Sequence, residues 1–518
     1  MAATGGSTPI DPLLLAVTFT PPGGTFVAER QVELAVNDPA VEIHYTLDGS
    51  APEASSPLYE GPLELDGSAR VRARAFLPGD DQPRGPIFSA SYLRVSEEVA
   101  DFTSNLPIVV VHTFESGQLN AKGTEFEPAW LSLSVPSSGT TELVGDAALQ
   151  SGIGIHVRGQ TSRDFPKKQY AVELRDDTSG DDRKLSLLGM PAESDWVLSD
   201  ALVFDRTSLR NALAYEMSNR IGRYAPRTRF VEVFLADQEG DVSSESFVGI
   251  YTLIEKIKRD GQRVDVGKLE EGENEQPAVT GGYILSIDKG GAELLAGNQQ
   301  FHFVYPDAEL MVTAARAPQF DFIRDYLEDL DEALKAPDFI GPSHGQHYSE
   351  FMDVDSFIDH QIVNALSKNV DGLRLSTYFH KDRGGLLVAG PVWDFDRSLG
   401  TPYDRRATDP EEWTLEDSDG TKYFDQGYWG LLFEDPSFKA RYKERFLALL
   451  EQELSPSQLT ALVDSLAAQI GPAAVARNFE RWNEFPPAQD SYENELSILK
   501  TFLERRAAFI QRELEAWP

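Results

Sequence analysis

The sequence predicts an α+β protein: a small all-β sandwich, followed by a larger region that mixes strands with helices and ends mostly helical. Three observations carry this. Within residues 15–96, apolar and polar side chains alternate with period two between turn signals, as in short half-buried strands. From about residue 104, strand-like and helix-like runs alternate. From about residue 436 to 515 the chain reads as mostly helical. A length of 518 residues suits two to four domains, each able to bury its own core.

The expected organisation is a flexible tail over 1–14, a β-sandwich over 15–96 and a larger domain over 97–518. Met1-Ala2-Ala3-Thr4-Gly5-Gly6-Ser7-Thr8-Pro9 resembles the start of a mature exported chain to which a Met has been added, so a secreted or cell-surface location is expected. In the sandwich, Val32–Val36 and Ala69–Ala75 alternate, and Pro21-Pro22-Gly23-Gly24 and Asp48-Gly49-Ser50 mark turns. Further on, Pro107–His112 reads as a buried strand, and Phe230–Leu235 and Gly249–Ile254 read as paired strands. Leu209, Leu213, Met217 and Ile221 follow a helical period, with Asp205, Thr207 and Ser208 as cap candidates and Gly222 as a stop. Leu496, Leu499, Leu503 and Ile510 form one apolar stripe.

Composition excludes several function classes. Lys and Arg number 47 against 84 Asp and Glu, a net charge of −37, so nucleic acid and anionic lipid would both repel the chain. There is no cysteine, hence no disulfide, thiolate metal site or cysteine nucleophile. No run approaches 18 apolar residues, so no membrane span is expected. Walker A, GxGxxG, GxSxG and HExxH strings are all absent. His344-Gly345-Gln346-His347 with Glu350 has metal-like spacing, but it follows Gly341-Pro342 and reads better as a solvated loop.

Two stretches could carry chemistry. In the first, Asn369-Val370-Asp371-Gly372 is a polar turn after the apolar helix Phe357–Leu366; a hairpin follows, and then Gly390-Pro391-Val392-Trp393-Asp394-Phe395-Asp396. The hairpin could return Asp371 and Asp394 to the same end of a sheet. Two carboxylates so placed suit phosphoryl transfer: one orients or deprotonates an attacking hydroxyl, the other holds Mg²⁺, which needs only one or two carboxylates. The same residues also fit a structural role, with Asp371 capping a turn and Asp394 paired to Arg397 or Arg374. In the second stretch, Arg158–Tyr170 is a loop of small, hydroxyl and basic residues leading into a strand. Its backbone N–H groups could approach phosphate, and a lysine beside it could act as a point charge. A plain basic hairpin fits it too.

Two resemblances follow. Phe19–Phe26, Ile43–Pro52 with its "YTLDGSAP", and Ser56–Tyr59 look like the fibronectin-III-associated module also found at the C-terminus of chitobiases. That resemblance implies a spacer or docking unit in a secreted protein, able to contact envelope or polysaccharide. "RGQTSRDFPKKQYAVEL", "SLRNALAYEMSNRIG", "FVGIYTLIEKIKRDGQRVDVGKL", "GGYILSIDK" and "NVDGLRLSTYFHKD…LLVAGPVWDFDRSLG" occur in the order seen in the CotH (spore coat protein H) kinase family, over roughly 107–450. That resemblance implies a two-lobed, atypical protein-kinase-like fold that binds ATP with Mg²⁺ (or Mn²⁺) and phosphorylates Ser or Thr of an unknown protein acceptor.

Carried over residue by residue, the resemblance makes Asp371 the catalytic carboxylate and Asp394 the metal ligand, with Asp396 beside it. Lys167 and Lys168 match the phosphate-binding lysines, Lys168 being favoured because it stands where the strand begins. Arg158 and Ser162 would lie in the loop over the phosphates. Glu255 would orient a lysine or a metal-bound water. The sequence departs from the family where kinases place an Asn as second metal ligand: here it reads Leu375-Ser376-Thr377-Tyr378, and no His precedes Asp371. A catalytically weak relative that binds nucleotide, or only a surface partner, is therefore the alternative to an active kinase. A hydrolase using Asp371 and Asp394 as acid and base is a third reading.

Overall fold

The structure, a computed structural model, describes residues 15–237, 240–416 and 418–518. The tail expected over 1–14 lies outside them. The fold is mixed α/β, β-rich toward the N-terminus and helical toward the C-terminus. The chain forms two compact units. One runs up to Ser199 and adds Phe230–Leu253 and Ile470–Trp482; the other comprises Asp200–Arg229, Ile254–Gln469 and Asn483–Pro518.

The first unit opens with a sandwich. Val17–Thr20, Arg30–Val36 and Leu63–Leu65 make a three-stranded sheet, and Gly24–Phe26, Glu42–Thr46, Ala69–Phe76 and Phe88–Arg94 belong to a five-stranded one. Along Arg30–Val36 the predicted alternation holds: Val32 and Leu34 are buried, Glu33 and Ala35 exposed. Along Ala69–Phe76 it does not, because Arg72 is buried with the apolar residues. Arg70 pairs with Asp177, and Arg72 donates through Nη2 to the Asp177 carbonyl at 2.9 Å. The polar face of that strand is covered by a downstream turn of the same unit, which no local pattern announces. The fifth strand of this sheet, Gly145–Asp146, also comes from downstream.

Beyond the sandwich the strands close into a seven-stranded barrel of Glu127–Ser134, Leu149–Arg158, Gln169–Arg175, Asp195–Ser199, Phe247–Glu255, Thr228–Ala236 and Ile108–His112. Ile155, Leu174, Trp196, Val231 and Tyr251 fill its core. Ile108–His112 is buried throughout, and Phe247–Glu255 lies beside Thr228–Ala236, as expected. Barrel closure itself depends on pairings far apart in sequence, such as the parallel contact of Val233 with Val109.

The second unit holds a five-stranded sheet in the order Leu294–Ala296, Gln299–Tyr305, Tyr283–Ile287, Thr377–Lys381, Leu387–Ala389. Its helices include Arg210–Arg220, Ala317–Lys335, Val354–Leu366, Pro436–Glu451 and Tyr492–Ala516. The N-cap position of Arg210–Arg220 is Leu209, not one of the cap candidates, although the Asp205 Oδ2 accepts from the Arg210 N–H at 2.9 Å. Gly222 stands past the end of that helix at φ +87°, a conformation glycine adopts at little cost. On Tyr492–Ala516, Leu499, Leu503 and Ile510 are buried and Leu496 half-buried. Among the described residues no single helix is long and apolar enough to cross a membrane.

Candidate active site

Asp371 and Asp394 stand on two loops that Asn369 ties together. The helix Val354–Leu366 starts on Asp353, whose carboxylate accepts from the Ser356 N–H, and it delivers the chain to Asn369. The Asn369 Oδ1 accepts from the N–H groups of Asp371 and Gly372, each at 3.2 Å. This is an Asx turn, which satisfies its own backbone. Its Nδ2 donates to the Asn364 Oδ1 at 3.0 Å and to the Asp394 carbonyl at 3.2 Å. The residue position has no slack: a Cβ on Gly372 would meet the Asn364 Oδ1 at 2.1 Å.

The intervening hairpin pairs Thr377–Lys381 with Leu387–Ala389, as expected. Beyond it, Asp394 holds left-handed backbone at φ 65°. Side chains of the helix Arg210–Arg220 fix this loop: the Asp394 N–H donates to the Tyr215 hydroxyl at 3.4 Å and the Phe395 N–H to the Asn211 Oδ1 at 2.7 Å. The Trp393 ring stacks on Tyr215 at 5.7 Å. Under the helix, Arg210 and Asp205 form a fully buried ion pair, and the Arg210 Nε donates to the Ser398 carbonyl at 3.0 Å.

Asp371 sits in a frame of arginines. Arg374 donates to its Oδ1, the Arg406 Nη1 lies 3.6 Å from the same oxygen, and the Arg397 Nη1 lies 3.8 Å from Oδ2. A purely structural reading of the sequence pairs Arg374 or Arg397 with Asp394; Arg374 donates to Asp371, and Arg397 is bonded to Asp404. Asp396 is buried and hydrogen-bonds Asp394. Burial, and then the adjacent Asp394 charge, hold its carboxyl well above the usual carboxylate range. The Ser376 hydroxyl completes this group, donating to the Asp394 Oδ2 at 3.3 Å. Two crowded carboxylates and a hydroxyl are hard oxygen donors whose mutual repulsion a divalent cation would relieve, so the set fits Mg²⁺ or Mn²⁺.

Residues 155–510 match the family model of the CotH kinase protein. This chain belongs to the CotH family. Ahead of that region, residues 21–84 match the chitobiase/beta-hexosaminidase C-terminal domain. No curated protein matches the chain significantly.

Within the CotH region, the structure brings Asp371, Asp394 and Asp396 together in the second unit, which also holds Glu255 among other partners. It places Arg158, Ser162, Lys167 and Lys168 in the first. Arg158 ends a barrel strand, and Ser162 opens a short turn of 3₁₀ helix, Ser162–Asp164. Gly159 is needed there, because at φ +97° a Cβ would strike the Ser162 Oγ at 2.0 Å. Lys167 is buried, donating to the Ile250 carbonyl at 2.6 Å and the Asn478 Oδ1 at 2.9 Å, over the Tyr251 ring at 4.8 Å. Lys168 is half-buried, and its Nζ donates to the Arg163 carbonyl at 2.7 Å. Glu255 is fully buried; its carboxylate accepts from Arg227 at 2.6 Å and from the Tyr224 hydroxyl at 3.2 Å, with the Arg263 Nε 3.8 Å away.

His344 of the CotH region lies near Asp329 and Glu332, so the histidine string of the sequence does meet two carboxylates. Both ring nitrogens already have partners: Nδ1 accepts from the Gln346 N–H, and Nε2 donates to the Asp329 carbonyl, each at 3.1 Å. His347 caps Tyr348–Glu350. Sequence reasoning missed Arg406, Asp404, Asn211 and Tyr215 as site residues. The last two were findable, since they stand one turn apart on a helix whose apolar stripe is Leu209, Leu213 and Met217. Asp404-Arg405-Arg406 carries no periodicity that would place it near Asp371.

Proposed function

We propose that the CotH domain of this chain is an atypical protein kinase of kinase-like two-lobed architecture, transferring phosphate from ATP, with Mg²⁺ or Mn²⁺, to Ser or Thr of a protein. The observation that carries this reading is the meeting of Asp371 with the Asp394–Asp396 pair, one carboxylate in a cationic frame and two in a crowded acidic one. Asp394 and Asp396, with the Ser376 hydroxyl, would hold the cation, which bridges phosphate oxygens and offsets their charge when bound. Asp371 accepts a hydrogen bond from the acceptor hydroxyl and aims its oxygen at phosphorus. Lys168 is the reading's phosphate cation; Lys167 braces the loop from inside. A secreted or surface location, and contact of the N-terminal module with envelope or polysaccharide, complete the proposal.

Ser376 favours a second reading, a catalytically weak relative. It stands on the metal pair where a kinase has an amide, and a hydroxyl is the poorer ligand. Incubation with labelled ATP, Mg²⁺ or Mn²⁺ and a generic acceptor, beside Asp371→Asn and Asp394→Asn, decides between them. Transfer abolished in both variants is the expected result. Transfer unaffected by either substitution overturns the site. Nucleotide binding by calorimetry without transfer selects the weak relative.

A further inference from the structure

Arg397 is an immobilised guanidinium with one nitrogen left over. Its Nε and Nη2 both lie 2.8 Å from the Asp404 Oδ2. Its plane is held over the Phe204 ring, Cζ 4.3 Å from the centroid. Its Nη1 faces the Asp371 Oδ2 at 3.8 Å, beyond hydrogen-bond range, and the side chain is 31% exposed. Asp404 is buried and also grips Arg406, accepting from Nε at 2.9 Å and Nη2 at 2.6 Å. One buried carboxylate thus fixes two guanidinium groups so that the third nitrogen of each points at Asp371. Arg406 spends that nitrogen on Asp419 at 2.9 Å. Arg397 does not.

Neutralising Asp371 does not require Arg397. Arg374 already donates to that carboxylate, and Arg406 stands closer. Fixing a long side chain by ring stacking and two charged contacts costs rotamer entropy, and here the result is an N–H₂ group aimed at the space beside Asp371. A preorganised donor of this kind is what a developing phosphoryl charge needs.

We propose that Arg397 is a catalytic residue whose Nη1 hydrogen-bonds an equatorial oxygen of the transferring phosphoryl group, with Asp404 as its positioning residue. The inference rests on the kinase reading for the identity of the step. The acceptor oxygen forms a bond to the γ-phosphorus as the bond from that phosphorus to the β–γ bridging oxygen breaks. The hydroxyl proton passes to Asp371 and the bond electrons leave with ADP. Arg397 exchanges no proton.

Arg397→Ala is expected to lower kcat by about 10²–10³-fold with KM for ATP little changed. Arg397→Lys recovers little, because an ammonium does not reproduce the planar donor. Added guanidinium ion partly restores the Ala variant. Asp404→Asn lowers kcat less, and guanidinium does not help it. Binding of inorganic phosphate with Mg²⁺ to the full chain gives a readout that needs no turnover. It should weaken at least tenfold in Arg397→Ala and stay unchanged in Arg405→Ala, an exposed control of equal charge. Arg397→Lys replaces the Ala variant if that one fails to fold. A wild type that binds phosphate but transfers none to any acceptor removes the kinase reading and leaves the phosphate site standing. Equal phosphate affinity in wild type and Arg397→Ala, or none in either, overturns the inference regardless of transfer.

Discussion

The Ser376 hydroxyl donates to the Asp394 carboxylate across 3.3 Å, and both residues hold left-handed backbone, at φ 49° and φ 65°. Non-glycine residues adopt this conformation at a cost of order 1–3 kcal/mol each, and it persists where surrounding structure over-determines it. Asn tolerates it better than most residues. Ser376→Asn should therefore fold normally and, by adding an amide oxygen to the donor set, tighten Mg²⁺ several-fold in a titration of nucleotide binding. Ser376→Val, β-branched at the same angle, should lose roughly 1–3 kcal/mol of stability in urea. Weaker Mg²⁺ binding in the Asn variant would remove Ser376 from the metal site.

Asp394 and Asp396 crowd each other without a cation, and burial holds the Asp396 carboxyl high. In EDTA, Asp394→Asn should stabilise the fold by about 1–2 kcal/mol, because an amide can donate to Asp396 where a carboxylate repels it. With Mg²⁺ the order should reverse, the wild type gaining in melting temperature and the variant not. Equal gains for the two proteins would show that this pair does not hold the ion.

The two lysines of the first unit should separate in their effects. Lys167→Met takes a buried donor from the Ile250 carbonyl and from the Asn478 Oδ1, which keeps the Ile250 N–H, and should cost roughly 1–3 kcal/mol. Lys168→Met keeps those contacts and should melt near the wild type. If Lys168 is the phosphate cation, its loss weakens ATP binding about tenfold; calorimetry beside thermal melting resolves the two. A Lys168→Met protein with intact ATP affinity would exclude that role.

Acid should destabilise the fold through two histidines. Burial pushes His112 down from 6.5 to about 4 and His360 to about 3. Below pH 6.5 the unfolded chain takes up protons that the folded imidazoles refuse. Stability therefore falls with pH at up to about 1.4 kcal/mol per unit for each histidine, until the folded value is reached. His360 stacks on Trp429 at 5.5 Å, so His360→Phe keeps the packing. Its urea midpoint should match the wild type at pH 7.5 and fall less steeply between pH 6 and 4. Parallel acid limbs would disprove the assignment.

Much of the fold was legible because its signals are local. Val32 and Leu34 alternate with exposed neighbours, Ile108–His112 is apolar throughout and buried throughout, and the stripe Leu499, Leu503, Ile510 faces a core. Arg72 misled because its covering turn lies more than a hundred residues away. The closed barrel was not legible, since period two reports a strand and not its partner.

The sequence by itself determined the family, the order of strands and helices around Asp371 and Asp394, and the hydroxyl residues Ser376-Thr377 where an amide was expected, because these are properties of residue type and spacing. Only the tertiary structure decided how the charges are shared. It turned Arg374, Arg397 and Arg406 toward Asp371, set Asp396 against Asp394, buried Lys167 away from Lys168, and gave Asp404 two arginines to hold. Charge pairing depends on distance in space and on burial, and neither is written into the spacing of residues along a chain.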